Sequence, residues 1–529
     1  MAEKTEYDVI IVGGGHNGLT CGALLARAGL DVLVLERRHN IGGGCCTEEV
    51  TLPGFRHNLH SQGHVWMVRG PVYRALQLDK LGVQYVYPDP VYAMVFRDGR
   101  SLCLYKDLDR TCEQIAQFSK RDADAYREHY QRFEALRRLV ISSWYAPPLP
   151  PSKLFASLEG TEDGMRVLQM MNMSTERVCH ELFEDEAVKA WILLLAMQGG
   201  NPLDLSGTGV WLTVLVSGFH ERPWGICVGG SRQLAEGLQK ALEAAGGTVR
   251  KQAHVSRILV QQGEARGVEL ADGTRYAARQ AIASNTNPIA TFTELITPEH
   301  SDAAFLRKVK NYQADDMSLF TPHLALNEAP RYTASAGNPD VQKAMFVGWG
   351  QETVDEMHQQ FNAIRLRQLP ESVGGMSIAP TVHDPTQAPP GKHTAFFWQF
   401  APFEIGDSAA AWDREKEAYA DHCLEVWRQY APNMNAENIL GRYIYSPLDI
   451  SRNTISMFRG SQMHGSVGPH QMGAFRPFPG WSGYRMPIKR LYLCGGSTHP
   501  CGGVTGAPGF NAAGVIADDV GVKKWWLRA

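Results

Sequence analysis

An α/β fold is predicted for this chain of 529 residues by three stretches that lie far apart in it. DVIIVGGGHNGLTCGALLARAGLDVLVLERR, at 8–38, reads as strand, glycine-rich turn, helix and second strand. GGTVRKQAHVSRILVQQGEARGVELADGTRYAARQAIAS, at 246–284, reads as strands joined by turns at Gly263 and Asp272-Gly273. LYLCGGSTHPCGGVTGAPGFNAAG, at 491–514, reads as a buried strand, a glycine-rich loop and a helix beginning near Pro508. Together they predict a Rossmann-like nucleotide-binding domain assembled from separated segments, with a discontinuous α+β substrate domain between them.

Each element has its local reason. Val9 to Val12 is an apolar run suited to a buried parallel strand. Gly13, Gly15 and Gly18 follow as G-x-G-x-x-G: a tight turn, close backbone approach to a pyrophosphate, and close helix–strand packing. Leu19 to Ala28 are small or helix-favouring, and Gly29 stops the helix. Asp31 to Leu35 form the second strand, ending at Glu36, about 20 residues after the glycines, where a carboxylate accepts hydrogen bonds from a ribose.

Arg37 and Arg38 would suit the 2′-phosphate of NADP, but three features point to a flavin dinucleotide. Gly42-Gly43-Gly44 allow a second close backbone approach. CVGGSRQLAEGL at 227–238 predicts a helix ahead of the strand through Val255–Val260. The helix after the late glycine loop aims its N-terminal N–H groups at an electron-rich cofactor atom.

The nucleotide-binding domain is therefore assigned to 1–75, 222–290 and 482–529, and the substrate domain to 76–221 and 291–481. Within the latter, GVQYVYPDPVYAMVFRDGRSLCLY predicts a hairpin, Asp107 to Ala146 predict helices, and APPLPPS at 146–152 predicts a loop or mobile lid. Met317–Leu326, Ser377–Thr381 and Thr394–Phe400 predict strands, covered by a helix over Trp412–Tyr430.

Bulk composition excludes several classes. A net charge of −3 gives no global attraction to nucleic acid or anionic membrane. Ten cysteines without a C-x-x-C pair support neither a disulfide scaffold nor a zinc site, and Cys45-Cys46 read as buried residues. The charged start MAEKTEYD leaves no room for a signal peptide, and no apolar run approaches the roughly 20 residues of a membrane span. The expected location is cytoplasmic, with peripheral membrane contact left open.

The glycine motif, Glu36, Gly42-Gly43, PGFRHNLHSQGH at 53–64 and YRMPIKRLYLCGGSTHPCGGVTGAPGFNAAG from Tyr484 resemble the FAD-dependent superfamily of amine oxidases and carotenoid desaturases. Within it the chain looks most like phytoene-desaturase-like proteins, carotenoid-ketolase-like ones included. The resemblance implies a glutathione-reductase/amine-oxidase type of fold and FAD as cofactor. It implies Gly13, Gly15 and Gly18 at the pyrophosphate, Gly42 and Gly43 against the dinucleotide, Glu36 at the ribose, and Arg37 or Arg38 beside the adenine. Val255 would meet the adenine through its backbone, Gly495 and Gly496 would sit beside the ribityl chain, and the Gly506–Gly509 turn would face the isoalloxazine. Related ketolase-like chains carry glycine where this one has Cys501, a side chain that narrows the pocket.

Two groups of residues keep two readings each. Met165, Met170, Met171, Met173 and Met197, with Trp191 and Trp211, either fill an ordinary core or line an adaptable site for a hydrocarbon. His57, His60 and His64, with His464, His470 and His499, either line the cofactor cavity or make structural hydrogen bonds; the trio lacks the carboxylate a metal site would favour. His499 and Cys501 are the catalytic candidates. The implied reaction is hydride transfer from a hydrophobic, terpenoid or carotenoid-like substrate to flavin, with oxygen or a quinone as final acceptor. The alternatives are a flavin amine oxidase on a smaller substrate and a non-catalytic prenyl- or lipid-binding protein.

Overall fold

The protein is described by a computed structural model covering residues 4–221, 224–315 and 317–528; residues 1–3 of the charged start and the segment boundary at 222 lie outside the described residues. Its architecture rests on two seven-stranded sheets. In the first, five strands run parallel in the order Thr248–Arg250, Val32–Leu35, Glu6–Val12, Arg275–Ser284 and Leu491–Leu493. The two antiparallel strands Val255–Gln261 and Glu264–Leu270 extend the sheet through the N-terminal half of Arg275–Ser284.

The apolar runs are continuous because both faces of this sheet are covered. Successive side chains point to opposite faces. Val9, Ile11, Val32 and Val34 pack with the helices His16–Arg27, Arg232–Ala244 and Ala507–Val520. Ile10, Val12, Leu33 and Leu35 pack instead with Val255, Val268, Phe292 and Phe305 on the other side. The chain order of these strands interleaves early, middle and late sequence, and the close of the sheet brings Gly13 and Cys494 to the same edge of its C-terminal end.

The second sheet is largely antiparallel: Ile439–Tyr445, Ser318–Leu326, His393–Ala401, Gly375–Ile378, Phe346–Trp349, Tyr92–Val95 and Ser101–Leu104. Only Phe346–Trp349 and Tyr92–Val95 pair in parallel. The helix Trp412–Tyr430 covers one face through Trp412, Tyr419 and Trp427, packed on Phe320, Trp349 and Phe397. Phe346, Phe396 and Trp398 face the opposite way, toward the helical layer that includes Glu186–Ala196.

The proline-rich break lies two residues earlier than the sequence predicts, at 144–150 between the helices Glu134–Ser143 and Pro151–Leu158. Pro151 opens the second of these at its first turn, where a missing N–H costs nothing.

One close approach fixes the relation of the first helix to the first strand. A Cβ built on Gly18 would lie 2.3 Å from the Gly13 carbonyl oxygen. Gly18→Ala must push the helix away, at a cost of about 1–3 kcal/mol for an overpacked contact. We expect the variant to melt lower and to lose flavin occupancy; parallel thermal melts and flavin absorbance check this.

Candidate functional site

The site grows from the turn between the first strand and helix. Gly13 adopts φ +101° and Gly15 serves as the N-cap of His16–Arg27 with no side chain of its own to close the turn. The helix N-terminus thus presents N–H groups and partial positive charge without a competing cap. Gly42 and Gly43 come up against the same turn: Gly42 N–H donates to the Gly14 carbonyl at 2.9 Å, and a Cβ on Gly43 would stand 3.3 Å from Gly15 Cα. This is a cradle bare of side chains, which suits a diphosphate.

Glu36 is anchored beside it. One carboxylate oxygen accepts from Gly14 N–H at 2.8 Å and the other from Arg38 N–H at 2.9 Å. These bonds fix the carboxylate and leave lone pairs on both oxygens for hydroxyl donors. Around it lies a cavity of about 110 Å³ lined by Gly13, Glu36, Arg37, Val255, Asn285 and Asn453, among others. Arg37 crosses it to donate to the Arg452 and Asn453 carbonyls at 3.0 and 2.5 Å. Arg38 is committed elsewhere, paired with Glu48 at 2.7 Å.

A second cavity, of about 150 Å³, begins where the first ends: Gly15 and Gly43 line one, and the next residues, His16 and Gly44, line the other. An elongated ligand laid across the glycine cradle would reach both. The wall of the second cavity is aromatic, with Trp66, Trp144, Trp211, Trp224 and Trp398 joined by Phe219, Phe346 and Phe396. Trp66 and Trp144 meet edge to face at 4.7 Å between centroids, and Trp224 packs on Phe346 at 4.8 Å. No Asp, Glu, Lys or Arg belongs to its described lining.

Three histidines, His16, His60 and His464, complete the wall. Burial holds His16 and His60 near pKa 3 and His464 near 4, so all three are neutral imidazoles at pH 7. Among the described residues His16 Nε2 and His60 Nδ1 have no hydrogen-bond partner. Cys501 also lines this cavity; burial raises its thiol pKa, so it stands as thiol rather than thiolate.

The predicted residues divide accordingly. Gly13, Gly15, Glu36, Arg37, Arg38, Gly43 and Val255 border the smaller cavity, and Cys501 the larger. Gly18 and Gly42 act through packing behind the cradle. Gly495 and Gly496 are buried after Leu491–Leu493 and belong to neither lining; Gly496 is pressed against His464 and Gly502. Gly506, at φ +68°, caps the final helix, which starts at Ala507, and the loop residues Pro500 to Thr505 face the cavity in front of it. The structure does not bring His499 to either cavity: its ring meets the Ser143 carbonyl at 3.2 Å.

The methionine zone does not form the cavity wall. Met170 and Met197 are core residues packed between helices, and Met165 is 53% exposed. Trp191 is likewise core, stacked against Tyr92, while Trp211 lines the cavity. The trio His57, His60 and His64 does not converge; His57 meets Thr51 and His64 meets Tyr85, and among the described residues no three His, Cys, Asp or Glu could share a metal ion. His16, inside the glycine motif itself, and the aromatic set apart from Trp211 were missed as cavity residues; for His16 the signal was its place at the start of the motif's helix.

The buried histidines carry a pH signature. His16, His60 and His64, each near pKa 3 when folded, titrate near 6.5 when unfolded. The unfolded chain therefore binds more protons between those values, so this stability is complete above pH 6.5 and is lost as pH falls toward 3. We expect the melting temperature to drop steadily from pH 6.5 to 4, and His60→Gln to flatten the underlying slope by about 1.4 kcal/mol per pH unit. Melts across that range, compared between the two proteins, measure it.

Comparison with known proteins agrees with this geometry. Residues 18–510 match the family described as flavin containing amine oxidoreductase. The chain is 34% identical to a component polypeptide of the limonene dehydrogenase of Castellaniella defragrans, over 100% of this chain and 97% of the relative. It is 27% identical to the lycopene-forming phytoene desaturase of Paracoccus sp., over 94% of this chain and 95% of the relative. Among solved structures, an oxidoreductase from Methanosarcina mazei shares the fold at a TM-score of 0.60 with 17% identity, over 96% of this chain and 99% of that one. Glycine cradle, anchored Glu36 and full-length likeness lead to one conclusion: the chain belongs to the flavin-containing amine oxidoreductase family, as an FAD-dependent oxidoreductase of phytoene-desaturase-like type.

Proposed function

We propose that the chain oxidises a C–H bond of a hydrophobic terpenoid or carotenoid-like substrate held in the aromatic cavity. The observation that carries this is the cavity's described lining: five tryptophans, three phenylalanines and no charged side chain. An ammonium substrate would leave water for a wall without a carboxylate, whereas an apolar alkene gains about 25 cal/mol for each Å² buried there. The names of the relatives, limonene dehydrogenase and phytoene desaturase, support the same substrate class.

The residues then take these roles. Gly13, Gly15, Gly18, Gly42 and Gly43 shape the cradle for the diphosphate, Glu36 accepts from the ribose, and Arg37 and Val255 flank the adenine. Bound FAD supplies a two-electron acceptor for hydride. Trp66, Trp144 and Trp211 hold and orient the substrate and exclude water. Cys501 fills the wall where related ketolase-like chains have glycine, and its neutral thiol shapes access rather than attacking substrate. His499 orders the Ser143 end of the helix Glu134–Ser143. Oxygen or a quinone serves as final acceptor.

Among the described residues no helix is long and apolar enough to cross a membrane. Exposed Leu139, Leu149 and Phe155, in the segment around Trp144, support peripheral contact of a cytoplasmic enzyme with a lipid surface that supplies an apolar substrate.

The test is anaerobic titration of the FAD-loaded protein with cyclic and linear terpenoid alkenes and, separately, with primary amines. Bleaching of the flavin band by an alkene is the expected result; bleaching by amines alone, or a protein that cannot be loaded with FAD, contradicts it. Trp211→Ala should raise KM for the active alkene by about tenfold, the effect of losing roughly 1.4 kcal/mol of apolar contact.

A further inference from the structure

Arg476 lies outside both cavities and outside every motif discussed above, yet it is fully buried, at 0% exposure. Its oxygen partners are all backbone carbonyls. One terminal nitrogen donates to Met463 O at 2.7 Å and Gly496 O at 2.9 Å; the other donates to Ser466 O at 2.8 Å and Gln471 O at 3.5 Å and touches Met472 Sδ at 3.7 Å. Among the described residues its Nε has no hydrogen-bond partner.

These carbonyls belong to two loops that meet at the aromatic cavity. Met463 and His464 line it from one side, Cys501 and Gly502 from the other, and Gly502 N–H donates to the same Met463 carbonyl that Arg476 holds. At Met463 and at Gly496 neither loop has helix or strand hydrogen bonding to fix it, so the guanidinium fork ties them. A buried cation whose hydrogen-bond acceptors are neutral carbonyls is little screened by water, so its field reaches neighbouring groups; the buried Asp315 acts with it on Tyr312 and offsets part of that field.

We infer that Arg476 is a positioning residue: its fork clamps the two loops of the cavity wall, and its charge, delivered one residue behind Met463 and Gly496, favours the reduced, electron-rich form of the bound FAD. The inference rests on the ring lying in the aromatic cavity. The reach of the charge is supported by the groups it acts on: it lowers the pKa of His464, His499 and Cys501, three residues of these loops.

The test uses two variants and two readouts. Arg476→Gln removes the charge, and Arg476→Lys keeps it while losing the fork. The first readout is the midpoint potential of bound FAD, by equilibration with a reference dye. The second is the rate at which the Cys501 thiolate forms a methyl disulfide with methyl methanethiosulfonate, releasing methanesulfinate, in FAD-free protein, located by mass spectrometry. In Arg476→Gln the reduced-to-oxidised binding preference should fall tenfold, a drop of about 30 mV for a two-electron couple, and Cys501 should react several-fold more slowly at pH 8. In Arg476→Lys both should stay within about twofold of the native protein. A folded Gln variant with both readouts unchanged overturns the inference. So does a Lys variant that moves both tenfold, which keeps the test decisive if Gln does not fold. A slower thiol with an unmoved potential also overturns it, and assigns the failure to the placement of the ring rather than to the reach of the charge.

Discussion

The site depends on one steric constraint, the contact of the first helix with the turn that precedes it. With 2.3 Å between a hypothetical Gly18 Cβ and the Gly13 oxygen, only glycine lets the helix start this close to the strand. That proximity aims the helix N-terminus along the C-terminal edge of the parallel sheet, where open α/β sheets bind ligands. It also sets Gly15 against Gly43 and Glu36 against Gly14, which builds the cradle from backbone. The two cavities join at this cradle, so a displaced helix would disturb both.

Burial does the electrostatic work around the second cavity. Neutral His16, His60 and His464 contribute polar but uncharged surface, and the cysteine beside them stays protonated. The cations near the site are kept off its described wall: Arg38 against Glu48, Arg37 across the smaller cavity and Arg476 behind the loops. The result is an apolar chamber with a helix N-terminus at one end and cationic side chains one layer back. Such an arrangement suits chemistry in which a hydrocarbon donates hydride and the bound cofactor gains negative charge.

Much of this was legible in the chain because it is local. The strand, turn and helix of 8–38 obey spacing rules that act over a few residues, and both the hairpin near Gly263 and the helix over Trp412–Tyr430 follow from short patterns. The aromatic chamber was not legible. Trp66, Trp144, Trp224 and Trp398 come from four distant segments, and no local pattern says that they converge. Helical spacing of methionines cannot separate a core face from a cavity face, and here Met170 and Met197 turned to the core. His499 drew attention by sitting in a glycine-rich loop, but the backbone path past Pro500 sends its ring to Ser143, while His16 at the motif's helix start takes the cavity position.

The central claim is that one dinucleotide site runs from Glu36 over the glycine cradle into the tryptophan chamber. A crystal structure of the FAD-loaded protein tests it most directly. The expected result is adenosine density between Glu36, Arg37 and Val255, with the isoalloxazine at the cradle end of the chamber, beside His16, Gly44 and the Pro500 to Thr505 loop. Ring density outside that chamber, or an adenosine that does not reach Glu36, would contradict it.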